Sequence, residues 1–199
     1  MNVSIVIQAG GQSSRMGVDK GLVELCGRTM IENIIERLQL FADEMLIISN
    51  QPRKYGRFGI RVFSDVYKNF GALAGLHTAL SYASNEMVFV IACDLPFVNR
   101  NLFKFMKNIF EAKSVDVVIP RTENGFEPFY AFYRKSTCLP LVTEAIKSEK
   151  KRLISWHENA IVHPVYETEL RAFDPTLNSF LNINTPEELL LAQRNCVDF

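Results

Sequence analysis

Val3-Ser4-Ile5-Val6-Ile7-Gln8-Ala9-Gly10-Gly11-Gln12-Ser13-Ser14-Arg15-Met16-Gly17-Val18-Asp19-Lys20 stands at the start of the chain and decides how the rest is read. Val3–Ile7 is a short, nearly continuous apolar run, the pattern of a strand buried on both faces. It ends in two adjacent glycines, where backbone amides can approach a ligand without a side chain in the way. No basic segment precedes it, so it reads as a strand and not as a signal peptide.

The same pattern recurs down the chain. Met45–Ile48, Arg61–Ser64 and Met87–Ala92 are further short strands, and Val115–Ile119 follows them. Between them lie helical periodicities. Thr29 with Glu32 forms a capping box ahead of Met30, Ile31, Ile34, Ile35 and Leu38. Ala72–Ala83 carries Leu73, Leu76, His77 and Leu80 on one face, and Leu102, Phe103, Phe105, Met106, Ile109 and Phe110 mark another helix. Strands alternating with helices, each strand almost wholly apolar, predict a single-domain, Rossmann-like three-layer α/β/α fold with a mainly parallel, mixed sheet. The second half is less regular: a strand at Pro128–Tyr133, a helix at Leu139–Ile146, a strand at Ile161–Val165, and a C-terminal helix Pro186–Asn195 opened by Thr185 with Glu188.

Composition narrows the function. The 199 residues carry 22 Lys+Arg against 22 Asp+Glu, which argues against a globally basic nucleic-acid binder. No apolar run approaches the ~20 residues of a membrane span. Cys26, Cys93, Cys138 and Cys196 are far apart and form no CxxC pair, so they read as incidental or buried thiols of a reducing, cytoplasmic compartment. Nine of the 10 glycines lie at or before Gly75, which concentrates unusual backbone geometry in the first two-fifths of the chain.

Ligands of open α/β sheets bind beyond the carboxyl ends of the strands. After the first strand, Gly10 and Gly11 can cradle a polyphosphate, with Ser13, Arg15 and Lys20 supplying donors and positive charge. The loop lacks the Gly-Lys-Ser/Thr of a Walker A motif, and it is not GxGxxG. A plain Gly-rich turn would explain the glycines but not Arg15 and Lys20 at these offsets. After Met87–Ala92, Asp94 precedes Leu95-Pro96 and has the place of a Mg²⁺ ligand beside bound phosphates. Asn50 and Asp65 follow the second and third strands and are ordinary turn residues when taken alone. These parts suit nucleotidyl transfer, in which charge neutralisation by Mg²⁺, Arg15 and Lys20 carries the catalysis. A phosphate nucleophile needs no strong base, and His77, His157 and His163 read as packing or surface residues.

The chain also resembles a known family. Gln8 through Lys20 is similar to the LAGGxSxRMGxDK signature of the molybdenum cofactor guanylyltransferases. Asp65 followed by Phe70-Gly71-Ala72-Leu73-Ala74-Gly75-Leu76 resembles that family's Asp…GPLAG segment. Ala92-Cys93-Asp94-Leu95-Pro96-Phe97 is similar to its CDxP motif, and Phe180-Leu181-Asn182-Ile183-Asn184-Thr185-Pro186-Glu187-Glu188-Leu189 to its FxNxNTPEDL ending. The resemblance spans almost the whole chain in the expected order.

It implies that GTP and molybdopterin, or its molybdenum-bound form, are the substrates, with Mg²⁺ as cofactor and molybdoenzyme-assembly proteins as further partners. It places the nucleotide against Gln8, Ala9, Gly10, Gly11, Ser13, Lys20, Asn50, Asp65 and Asp94, with the metal on Asp94. It places the pterin against Glu127, Pro128, Lys151, Arg152, Asn182 and Asn184. The chain then divides into a nucleotide half, about residues 1–120, and a pterin half, about 121–199. Gln8 stands where the family carries Leu, and Ala72 where it carries Pro. Two other readings stay open: a nucleotidyltransferase using CTP or a sugar phosphate, and a non-catalytic nucleotide-binding partner of molybdoenzyme assembly.

Overall fold

The structure is a computed structural model that describes residues 1–10 and 19–198. Its strands are β1 Val3–Gln8, β2 Glu24–Leu25, β3 Arg28–Thr29, β4 Glu44–Ile48, β5 Arg61–Phe63, β6 Met87–Ala92, β7 Val117–Thr122, β8 Gly125–Phe126, β9 Tyr130–Arg134 and β10 Val162–Tyr166. Its helices are α1 Met30–Leu38, α2 Pro52–Tyr55, α3 Gly71–Tyr82, α4 Arg100–Ala112, α5 Lys135–Lys147, α6 Glu167–Leu170 and α7 Pro186–Ala192.

The main sheet runs β10-β7-β9-β6-β1-β4-β5, with β8 beside β7. Pairing is parallel from β6 through β1 and β4 to β5, and again between β7 and β10. Within the main path only β9 runs against its neighbours, β6 and β7. The mixed, mainly parallel sheet expected from the sequence is therefore present.

Both faces of the sheet are covered, which is why its strands read as unbroken apolar runs. Val3, Ile5 and Ile7 of β1 face α1 (Ile31, Ile34, Leu38) and α4 (Leu102, Phe103, Met106, Phe110). Val6 of β1 and Leu46 and Ile48 of β4 face the opposite layer, with α3 (Leu73, Leu76, Leu80), α5 (Val142, Ile146) and Trp156. Each fully buried Ile, Leu or Phe contributes about 1.5–3 kcal/mol. Among the described residues no helix is long and apolar enough to cross a membrane.

Two capping boxes operate as their sequences predict. The Glu32 carboxylate accepts the Thr29 N–H at 2.8 Å, and Glu188 accepts that of Thr185 at 3.0 Å while its own N–H bonds Thr185 Oγ1. α5 begins four residues before the expected Leu139 and carries Pro140 inside it. A proline normally argues for a helix start, and packing of Cys138, Val142, Ala145 and Ile146 outweighs the lost hydrogen bond. At the C-terminus α7 stops at Ala192 and a 3₁₀ segment, Gln193–Asp198, continues it.

One expectation is corrected. Cys26 and Cys196 are not incidental thiols: they form a disulfide, with the sulfurs 1.99 Å apart, across 170 residues of sequence. A third apolar cluster brings them together by packing Leu25, Met30 and Phe97 against Ile183 and Ala192. Sequence spacing holds no signal of that meeting. Cys93 and Cys138 are buried free thiols.

Candidate active site

The parallel register puts the loops of the site side by side. Gln8 pairs with Ile48 on one side and with Ala92 on the other, and Ile48 pairs with Phe63. Ala9-Gly10, Asn50, Asp65 and Asp94 therefore leave the sheet at one edge. The chain leaves β1 to build β4 and β5 on one flank and then crosses to β6 on the other. The crevice between β1 and β6 is thus the topological switch point, where open α/β sheets bind ligands.

A cavity of about 240 Å³ occupies that crevice. Gln8, Ala9 and Gly10 line it from β1, Asp19 and Lys20 from the segment after the glycine loop, and Ala92 to Leu95 from β6. Glu127, Pro128, Phe129 and Asn182 close the far side. Backbone bonds fix these walls. Gln8 C=O accepts the Cys93 N–H at 2.9 Å, Phe129 C=O accepts that of Ala92 at 2.9 Å, and Asp94 C=O accepts that of Ile183 at 3.1 Å.

Three polar side chains meet in the crevice. Lys20 Nζ lies 3.3 Å from Asp94 Oδ2 and also donates to Asn184 Oδ1. Asn184 is held by its own N–H, which donates to Glu188 Oε2 at 2.6 Å. The α7 capping box thus reaches the site. The Lys20 and Asp94 side chains are 22% and 18% exposed, so the pair is partly desolvated but open to a ligand.

The remaining candidates divide. Asn50 and Asp65 hold each other: Asn50 Nδ2 donates to Asp65 Oδ2 at 2.8 Å, and Asp65 N–H donates to Asn50 Oδ1 at 3.1 Å. Burial raises the Asp65 carboxyl above the usual carboxylate range, opposed by the Asn50 bond, and its Oδ1 is buried without a hydrogen-bond partner. Burial also raises Glu127, opposed by a bond from Thr122. Lys151 and Arg152 are exposed on the segment after α5 and do not line the cavity. Gly11, Ser13 and Arg15 lie outside the described residues.

Three details escaped the sequence. The Ala9 N–H, just past the end of β1, donates to Ile48 C=O at 2.8 Å and ties the start of the glycine loop to β4. Gln8, in place of the family's Leu, is a buried residue, 7% exposed. Its Nε2 donates to Gly75 C=O at 2.7 Å. In the sequence Gly75 stands in the segment that resembles GPLAG, with nothing to tie it to Gln8. Asp19 was part of the quoted motif yet carried no assigned role; it lines the cavity and accepts a hydrogen bond from Tyr55.

A polar crevice at the switch point of a mainly parallel sheet is the ligand-binding place of the doubly wound α/β class. Residues 5–162 match the MobA-like NTP transferase domain, and the chain belongs to that family of nucleotidyltransferases. It is 37% identical to a probable molybdenum cofactor guanylyltransferase of Peptoclostridium acidaminophilum over 191 residues, covering 94% of this chain and 86% of that protein. It is 36% identical to another from Natranaerobius thermophilus, covering 97% and 96%. The crystal structure of molybdopterin-guanine dinucleotide biosynthesis protein A from Archaeoglobus fulgidus superposes with a TM-score of 0.84 at 28% identity, covering 98% of this chain and all (100%) of that one. A 4-diphosphocytidyl-2C-methyl-D-erythritol synthase from Anaerococcus prevotii shares the fold at a TM-score of 0.71 and 16% identity.

Proposed function

We propose that the chain transfers the GMP moiety of GTP to the terminal phosphate of molybdopterin, forming the guanine dinucleotide and releasing pyrophosphate. The observation that carries this reading is the meeting of Lys20, Asp94 and Asn184 in one crevice, three residues from three separate segments of the family pattern. The guanylyltransferase names of the relatives supply the substrates.

In this reading the nucleotide lies over Gln8, Ala9 and Gly10, with Asn50 and Asp65 on its flank. Lys20 neutralises triphosphate charge, and Arg15 adds to it from the glycine loop. Glu127, Pro128 and Asn182 on the opposite wall, with Asn184 beside Lys20, face the pterin substrate in this reading, which makes the two halves of the chain its two substrate sides. The nucleophile is a phosphate oxygen whose second pKa of ~6 leaves it ionised near neutral pH, so no side chain has to remove a proton.

The donors present suit a hard cation. Among the described residues no group of three His, Cys, Asp or Glu side chains could hold a metal by itself. Asp94 offers a single carboxylate, and the Asn184 amide oxygen meets the same Lys20 ammonium. That set suits Mg²⁺, which keeps several waters and takes its other ligands from substrate phosphates. Asp94 would hold the ion, and the ion would supply further charge neutralisation on the phosphates.

The test is incubation with each of the four ribonucleoside triphosphates, Mg²⁺ and molybdopterin, followed by mass spectrometry of the products. A guanine dinucleotide with pyrophosphate is expected. A cytosine dinucleotide would overturn the choice of base, and no pyrophosphate with any triphosphate would overturn the reaction.

A further inference from the structure

Tyr55 is fully buried at the end of α2, 0% exposed, and its hydroxyl donates to Asp19 Oδ1. Asp19 stands at the head of the one-turn 3₁₀ segment Lys20–Leu22, where an aspartate ordinarily folds back to cap free N–H groups. Here its side chain makes no cap bond. It turns away to Tyr55, and Lys54 Nζ lies 3.8 Å from its other oxygen. The backbone closes the turn instead: Asp19 C=O accepts the Leu22 N–H at 3.0 Å.

Behind this bond the packing is tight. A Cβ at Gly21 would sit 2.9 Å from the Tyr55 hydroxyl oxygen and 3.4 Å from Cys93 Cβ. The Lys20 turn is therefore pressed between the Tyr55 phenol and the end of β6, and only glycine leaves room for it. The bond fixes the residue immediately before Lys20, whose ammonium reaches Asp94 and Asn184. Burial, with the Cys93 thiol and the Asp19 carboxylate adding to it, keeps the phenol protonated and donating.

We propose that Tyr55 is a positioning residue of the transfer reaction: its hydroxyl, through Asp19, sets where the Lys20 ammonium stands. The proposal rests on the reading that Lys20 engages the triphosphate. Small displacements of a charged group at a reacting phosphate cost large factors in rate, and a residue acting through Lys20 loses its effect when Lys20 is gone.

The experiment is a double-mutant cycle on kcat/KM for GTP with molybdopterin as acceptor. Tyr55→Phe removes the hydroxyl and keeps the ring. It is expected to lower kcat/KM about tenfold in the wild-type background and less than about twofold in a Lys20→Ala background. Asp19→Ala should match Tyr55→Phe, while Asp19→Asn, which keeps an oxygen to accept the phenol, should retain most activity. Melting curves read the fold separately, and Tyr55→Phe should leave the midpoint nearly in place. Equal losses in both backgrounds would overturn the proposal, as would an unaffected Tyr55→Phe. If Lys20→Ala is itself fully active, the reading of Lys20 fails, and a remaining Tyr55→Phe loss would show that Tyr55 acts by another route.

Discussion

Lys20 and Asp94 form an ion pair across the crevice, 3.3 Å apart, although 74 residues separate them in sequence. Each neutralises the other before any ligand arrives. In the proposed reaction a triphosphate arriving with a cation would offer both a better partner at once, the phosphates for Lys20 and the ion for Asp94.

Asp94→Asn keeps the shape of the side chain and removes its charge. Turnover is expected to fall about 100-fold or more, the scale on which single electrostatic groups act at a transition state. Circular dichroism and the melting midpoint should stay close to wild type. Titration with Mn²⁺ in the presence of GTP should show the lost metal affinity directly. Near-wild-type turnover would move the metal to other residues.

Gly75→Ala tests the wall behind Gln8. An added Cβ would stand 2.6 Å from Gln8 Oε1, inside contact distance in a site with no slack. A loss of about 1–3 kcal/mol is expected in urea denaturation, the usual cost of overpacking. Combined with Gln8→Ala the penalty should shrink below the sum of the two single losses. Strict additivity would mean that α3 accommodates the methyl by moving.

The Cys26–Cys196 bond closes a loop spanning 170 residues of separation. Chain-entropy reasoning gives a stabilisation of about 2–5 kcal/mol for a long loop. Dithiothreitol on the wild type and a Cys26→Ser substitution should therefore lower stability by similar amounts. Peptide mapping of protein purified without reductant should find Cys26 joined to Cys196. Alkylation of both thiols in that preparation would contradict the bond.

His157 gives a pH signature. Burial lowers its pKa from 6.5 to about 4, and its Nε2 is buried without a hydrogen-bond partner. Between pH 6.5 and about 4 the unfolded chain binds a proton that the folded chain refuses, so stability falls as the pH is lowered through that window. Asp65 and Glu127, raised by burial, act in the opposite sense. The His157 contribution therefore appears as the difference between wild type and His157→Phe. The melting midpoint of the variant should lose less on acidification from pH 6.5 toward 4. Identical slopes would remove His157 from the account.

Local patterns made the sheet readable. β1, β4 and β6 are covered on both faces, so their apolar runs survive unaltered in the sequence, and the glycines after β1 announce a backbone that must approach something closely. The capping boxes at Thr29 and Thr185 are readable because all their parts lie within four residues. What stayed hidden depends on tertiary meeting. The Tyr55–Asp19 bond joins residues 36 apart, the Gln8–Gly75 bond residues 67 apart, and the disulfide needs the whole fold first. Pro140 misleads because packing overrides a local rule. Lys151 and Arg152, which the resemblance assigns to the second substrate, stand exposed after α5 and do not line the cavity beside Lys20 and Asp94.

The strand order has a consequence for how the chain is assembled. β1 precedes the other strands in the sequence and ends in the middle of the sheet, and its two neighbours, β4 and β6, are complete by Ala92. The block β6-β1-β4-β5 is complete in sequence before β7, β9 and β10 begin. Until Tyr130–Arg134 is made, one long apolar edge of that block, Met87–Ala92, has no partner strand. An unpaired apolar edge is a template for association between nascent chains. That exposure ends when the antiparallel strand Tyr130–Arg134 pairs with Met87–Ala92 and seals the edge.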